Sequence, residues 1–379
     1  MIYLDNASTT RVSPGVMSAM LPYFMEQYGN AGNIHSMGIE AAHAITRARE
    51  QVAKPIGADP DNIIFTSGGS EANTLAILGV LDHLKKIGKT HIITSSYEHH
   101  SVLETIKSTF HKGFTATYID PDDHGYIYAD AIEEKIQPDT GLVSIMGVNN
   151  ETGTRNPISD IGRMCHKQGI LFHTDCVQAY CMTPIDVMVD RIDFLSASGH
   201  KLYAPKGIGF LYAKNKAILR PCIYGSESQE YGLRGGTENV PYIVGFGAAV
   251  EEDHRDTWSY SRYYGLRQRL LGILDKNLSG WHVNGMPFYG SKIVNLRFDG
   301  VDGETLLLLL NSEGVIVSAG SACSAHEARP SHVLKALGLT DDQVRSSIRI
   351  SFSAYTTVDE IDEAARIIIE SVKKLRGEE

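Results

Sequence analysis

The sequence predicts an α/β fold, with a mostly parallel central sheet in a large unit and a smaller α+β unit after it. Three observations carry this. Short apolar, β-branched runs alternate with helix-length amphipathic segments through residues 60–215, the pattern of strands crossed over by helices. Polar residues able to do chemistry follow those runs one after another, as in open sheets that bind ligands beyond the carboxyl ends of their strands. From about residue 256 the alternation gives way to a different mix, and a chain of 379 residues exceeds the usual size of one core.

The spacing predicts strands over 63–65, 91–94, 142–148, 170–172, 193–195 and 208–212, and helices over 71–84, 101–110 and 158–167. The second unit is predicted to hold a helix over 259–278, a strand over 293–298 and a helix over 304–310. Strands over 315–318 and 347–352 follow, then a closing helix over 358–375. The large unit is expected to cover 15–255, and the small one to combine 1–14 with 256–379. No internal repeat or low-complexity segment interrupts this order.

With 45 acidic and 35 basic residues the formal charge is −10, and no long basic run favours nucleic acid as the main ligand. The first residues lack a basic segment followed by an apolar core, and no apolar run reaches the ~18 residues of a membrane span, so the expectation is a cytoplasmic protein. The five cysteines, Cys165, Cys176, Cys181, Cys222 and Cys323, are odd in number and contain no Cys-x-x-Cys pair. Neither a disulfide framework nor a zinc spacing is indicated, and reduced thiols are expected. The acidic stretch Asp120–Gly125 reads as a turn, because Ala131 stands where a calcium loop needs glutamate at its twelfth position. No metal is assigned.

The chemistry gathers after the strand runs. Asp175 ends one of them and Lys201 follows the next, in Ser198-Gly199-His200-Lys201. Pyridoxal phosphate needs a lysine to hold it covalently and a carboxylate to keep its ring nitrogen protonated. Either residue alone reads as an ordinary loop or strand-end group; the pair favours the cofactor. Gly68-Gly69-Ser70-Glu71 opens a helix, where free amides and the Ser70 hydroxyl suit a phosphate, although an ordinary capped glycine turn is an equal reading. His99 or His100 offers an imidazole to cover the ring, and Gln178, three residues after Asp175, offers an amide to its phenolic oxygen. Arg349 alternates with apolar residues and matches a substrate carboxylate, with a structural ion pair as the competing reading. Cys323 stands in the small-residue run Gly320-Ser321-Ala322-Cys323-Ser324, next to His326 and Arg329, as expected for an exposed nucleophilic thiol or an incidental surface cysteine.

Together these segments resemble the NifS/IscS-type cysteine desulfurases, which are class V pyridoxal phosphate enzymes of fold-type I. The likeness runs along the whole chain. It rests most on Phe65-Thr66-Ser67-Gly68-Gly69-Ser70-Glu71, Asn149-Asn150-Glu151-Thr152-Gly153, Ser198-Gly199-His200-Lys201, Leu233-Arg234-Gly235-Gly236-Thr237-Glu238-Asn239, Gly320-Ser321-Ala322-Cys323 and Ser347-Ile348-Arg349. The resemblance implies that Lys201 holds the cofactor, Asp175 pairs with its ring nitrogen, and His99 stacks on the ring. Asn150 and Gln178 contact the ring side, and Gly69, Ser70, Ser198 and His200 meet the phosphate. Arg349 and Asn150 hold the carboxylate of L-cysteine, and Cys323 takes its sulfur as a persulfide, leaving L-alanine. The counterpart of Thr237 reaches a neighbouring subunit's phosphate, so a homodimer is implied, along with a sulfur-acceptor protein serving iron–sulfur cluster or thio-cofactor and tRNA synthesis. The chain departs from the pattern at 30–35, 225–230 and 326–329, and closes at Glu379 without the longer tail that some members dock to a scaffold. A selenocysteine lyase or aminotransferase would need the same lysine and aspartate, and a non-catalytic sulfur-binding protein would keep the fold alone.

Overall fold

A computed structural model describes residues 1–252, 260–319 and 330–378. The strands, in chain order, are β1 (Ile2–Tyr3), β2 (Ile63–Thr66), β3 (His91–Ser95), β4 (Thr115–Ile119), β5 (Thr140–Ser144), β6 (Leu171–Asp175), β7 (Phe194–Ser198), β8 (Gly209–Ala213), β9 (Trp281–Asn284), β10 (Ile293–Phe298), β11 (Val315–Ile316) and β12 (Ser347–Ser351). Seven of them form the main sheet in the order β2-β8-β7-β6-β5-β3-β4. Only β8 runs against its neighbours there; β3 to β7 pair in parallel. Their carboxyl ends therefore point to one edge of the sheet, and the residues after them share that edge.

Apart from the edge strand β4, the strands of this sheet are buried along most of their length because helices cover both faces. Ile63, Phe65, Val143, Phe172 and Phe210 feed a core with the helices Pro14–Met25, Ser36–Ala53 and Val240–Glu251. Ile64, Ile92, Leu142 and Leu211 face the other way, against the helices Gly69–Gly79 and His100–Lys107. The alternation of inward sides along each strand makes both cores from the same short runs.

A separate core lies in the C-terminal part. The antiparallel sheet β12-β10-β9 packs on the helices Tyr260–Asn277, Gly303–Ser312 and Val358–Arg376 through Leu270, Leu296, Leu306, Ile350 and Ile368. The last of these helices starts with a capping box between Thr357 and Glu360 and ends at Gly377, whose φ of 70° suits a residue without a side chain. The N-terminus joins this part: β1 pairs in parallel with β11, and Leu4 sits in the same core.

Several expectations are corrected. The helix over 71–84 is two helices, Gly69–Gly79 and Leu81–Lys86, divided at Val80. The strand over 142–148 starts at Thr140 and leaves the ladder after Ser144, although Ile145, Met146 and Val148 stay buried. β1, β4 and β9 were not expected, nor were the helices Pro14–Met25, Ser36–Ala53, Ala129–Glu133, Val240–Glu251, His332–Ala336 and Asp341–Arg345. No helix among the described residues is long and apolar enough to cross a membrane.

Candidate active site

A cleft of about 370 Å³ opens at the carboxyl edge of the main sheet. Its walls come from five strand ends and from both terminal parts of the chain. Gly69 and Ser70 follow β2, His99 follows β3, and Asn150 follows β5. Asp175 ends β6, Gln178 lies just beyond it, and Ser198, His200 and Lys201 follow from β7. Arg349, on β12, enters from the C-terminal core, with Ala7 and Ser8 beside it. Every expected cleft residue among those described is thus brought together. Thr237 is elsewhere: with Phe65, Glu230 and Arg234 it lines a second cavity of about 210 Å³. Cys323, His326 and Arg329 lie outside the described residues.

Asp175 is nearly buried and tightly held. One carboxylate oxygen accepts from Asn73 Nδ2 at 2.7 Å, and the other from the Val177 amide at 2.9 Å. Asn73 was missed in the sequence, although it lies three residues after Ser70 on the same helix and so shares its face. The turn before that helix is pinned by Glu71, which accepts from the Ser67 amide at 2.8 Å and pairs with Arg234 at 3.1 Å. Gly69 cannot carry a side chain here, since a Cβ would come within 2.5 Å of Val177 Cγ2. The backbone is bare where the first helical amides face the cleft, which suits an anion.

Lys201 reaches across to the N-terminal strand, donating to the carbonyls of Ala7 and Ser8, each at 2.7 Å. His200 meets Thr9 Oγ1 at 3.2 Å, and burial beside Lys201, Lys206 and Lys292 lowers its pKa to about 3. It is neutral at physiological pH. His99 caps the helix His100–Lys107: its Nδ1 accepts from the Ser101 amide at 3.1 Å, so the neutral ring carries its proton on Nε2. Burial lowers its pKa, with Lys201 and His100 acting in the same sense and Asp175 against them. His100 lines the same cleft, with its ring 4.5 Å from that of His332, which also borders it.

Asn149 and Asn150 divide their work. The Asn149 side chain accepts from the amides of Glu151 and Thr152 at 2.8 and 3.0 Å, fixing the turn. Asn150 is left at the cleft wall, and its carbonyl accepts from Arg349 Nη1 at 2.9 Å. Arg349 also pairs with Asp5 at 2.9 Å and donates to Ser8 Oγ at 2.7 Å, so the ion-pair reading of this residue holds in part. Below the cleft, burial pushes the pKa of Glu98 up to about 8, which keeps it protonated at neutral pH.

The unmatched atoms fit a polar, planar group that carries hydrogen-bond donors as well as an anionic part. Asn150 Oδ1, Gln178 Oε1 and Arg349 Nε are buried with no hydrogen-bond partner, though native structures leave few such atoms orphaned. All three residues border the same cleft as the anion-ready turn at Gly69. Among the described residues there is no group of histidine, cysteine and carboxylate side chains suited to a metal.

The model of the class-V aminotransferase family matches residues 2–364. A cysteine desulfurase of Nostoc sp. is 42% identical over 99% of this chain and 94% of its own. Among solved structures, a NifS-like protein superposes with a TM-score of 0.88 at 35% identity, covering 97% of this chain and 98% of the other. SspA, solved in complex with cysteine, gives 0.82 at 37% identity over 94% of this chain and all of its own.

Proposed function

The chain belongs to the class-V aminotransferase family and is a cysteine desulfurase, and from this premise we propose that Lys201 and Asp175 hold pyridoxal phosphate while Cys323 takes sulfur from L-cysteine. The observation that carries the reading is the meeting of an amine, Lys201, a doubly hydrogen-bonded carboxylate, Asp175, and a buried guanidinium, Arg349, in one cleft. The bound cofactor supplies an electron sink for negative charge at the substrate's Cα.

The other roles belong to the chain. Asp175 keeps the ring nitrogen protonated, and His99, neutral and locked as a helix cap, covers the ring. The orphaned Gln178 Oε1 and Asn150 Oδ1, being acceptors, would take hydrogen bonds from donor groups at the ring side. Ser70, Ser198, His200 and the bare turn at Gly69 receive the phosphate. Arg349, through the nitrogen that has no partner, and Asn150 hold the substrate carboxylate. Lys201 accepts the Cα proton. The Cβ–S bond breaks as a bond forms to Cys323 Sγ, and protonation of the remaining carbon skeleton gives L-alanine. A persulfide stays on Cys323, so sulfur is carried to an acceptor protein, an iron–sulfur scaffold or a thiolation protein.

The other cysteines support this choice. Cys165, Cys176 and Cys181 are buried and Cys222 is half-buried, and burial raises each thiol's pKa, that of Cys165 to about 12. None of them is a ready thiolate. Two of the buried clusters lie almost wholly within 15–255, with Val333 and Leu337 joining one of them, and a third is built from 256–379 with the N-terminal strand, which supports the two-unit division.

Incubating the cofactor-loaded protein with L-cysteine and a reductant should yield alanine and sulfide in equal amounts. A keto acid in place of alanine points to an aminotransferase. Release of selenide from selenocysteine with no reaction of cysteine points to a lyase, and absence of any product leaves only a binding protein.

A homodimer follows from the same reading, since Thr237 lines a cavity separate from its own chain's cleft and Phe24, Tyr28 and Tyr224 remain exposed. Sedimentation at falling concentration should show a dimer that loses cofactor as it dissociates. A stable monomer that keeps cofactor and full activity would remove the shared site.

A further inference from the structure

Lys292 is a cation in an unusual place. It lies just before β10, in the C-terminal part, and is only 4% exposed. Its Nζ donates at 3.0 Å to the backbone carbonyl of Lys201, on the other side of the cleft. No ion pair to Lys292 occurs among the described residues, whereas Arg349, equally buried, has Asp5. A buried ammonium without a carboxylate is costly, and such a group either loses its proton or raises the potential around it.

We propose that Lys292 is a positioning residue for Lys201: it fixes the turn that carries the cofactor lysine, and its charge makes protonation of that lysine less favourable. The turn Gly199–Lys201 is a single 3₁₀ turn after β7, and the Lys201 carbonyl is its last. Lys292 binds this carbonyl from the C-terminal part, so the turn at the base of the lysine side chain is tied to that part. The electrostatic half follows from Coulomb's law, since two like charges in a dry site cannot both be held cheaply. Burial, and after it the charge of Lys201, lower the pKa of Lys292 to about 7.

Among the described residues, other titratable groups lie near Lys201. His200 and His99 are neutral, each with its pKa lowered by burial and by Lys201. Asp175 is bound to Asn73 and Val177, and Asp5 is paired with Arg349. Lys206 acts on His200 from the following loop. Among these, Lys292 alone touches the Lys201 backbone with a charged group.

The test is a pH titration of the visible absorption band of the cofactor-loaded protein in three variants. Lys292→Gln keeps a donor for the carbonyl but no charge, Lys292→Met removes both, and Lys292→Arg keeps both. The midpoint should rise by about one pH unit in the Gln and Met variants and stay at or below the parent value in Arg, whose guanidinium keeps its charge throughout. In the cofactor-free protein, the pH at which trinitrobenzenesulfonate labels Lys201, mapped by mass spectrometry, should rise in the same two variants. An unmoved midpoint in Lys292→Gln overturns the electrostatic role, and should Lys292→Met fail to fold, Gln against Arg still decides. The proposal rests on Lys201 as the cofactor lysine; if no visible band forms in the parent, that assignment fails, and the labelling series decides the influence of Lys292 separately.

Discussion

Replacing Lys201 by alanine is expected to abolish turnover, with kcat falling on the order of 10³-fold or more, because the change removes both the cofactor anchor and the group that moves the Cα proton. The parent protein should be yellow and keep its colour through removal of excess pyridoxal phosphate. The variant should lose the parent's band. Its fold should survive: Lys201 donates to the carbonyls of Ala7 and Ser8, and leaving such acceptors without that donor costs about 1–3 kcal/mol. A Lys201→Ala protein that retains the parental spectrum and rate after excess cofactor is removed would end the assignment. So would a parent that never colours.

Replacing Cys323 by serine should stop sulfur transfer while leaving substrate binding in place, a more selective defect of similar size. Lys201, Asp175 and Arg349 are intact in that variant, so L-cysteine should still perturb the visible spectrum. The serine hydroxyl is nearly the same size but is not appreciably ionised at neutral pH, so it cannot take the sulfur. Alanine production should fall to the background rate. In the parent, a brief pulse of L-cysteine without reductant should add one sulfur atom to the peptide bearing Cys323, read by mass spectrometry. Alanine replacements at Cys165, Cys176, Cys181 and Cys222 should keep activity, apart from stability lost at the three buried positions. Wild-type alanine output from the serine variant, or the added sulfur on another cysteine, would mean a different acceptor.

The cleft residues were legible because of one topological fact. Parallel strands deliver whatever follows them to the same edge, so Ser70, His99, Asn150, Asp175 and Lys201 could be grouped from their positions after apolar runs. The fold was less legible at the margins. β4 is half exposed and at the sheet edge, and its Thr-Ala-Thr-Tyr-Ile lacks a continuous apolar run. The overextended strand after Ser144 shows the reverse: Ile145, Met146 and Val148 are apolar because a buried turn needs them, and burial alone carries no period. Asn73 had a helical-spacing signal from Ser70. Lys292 had none, since an isolated lysine before a strand looks solvated until the second core folds over it. The split of roles between Asn149 and Asn150 also depends on a turn whose hydrogen bonds no pattern reveals.

The joining of the two chain ends at the cleft has a consequence for when the protein becomes competent. Asp5 and Ser8 are bound by Arg349, and the Asn6 side chain donates to the Ser351 carbonyl across 345 positions of sequence. During synthesis at about 5–20 residues per second, residues 5 to 8 emerge roughly 17–70 s before residue 349 is made. For that interval the central sheet can assemble and Lys201 can exist, but the wall that Arg349 and the Ala7 and Ser8 carbonyls build together cannot. A nascent chain therefore carries its reactive amine well before it has the groups that choose what the amine meets, and the finished cleft waits on the synthesis of Arg349.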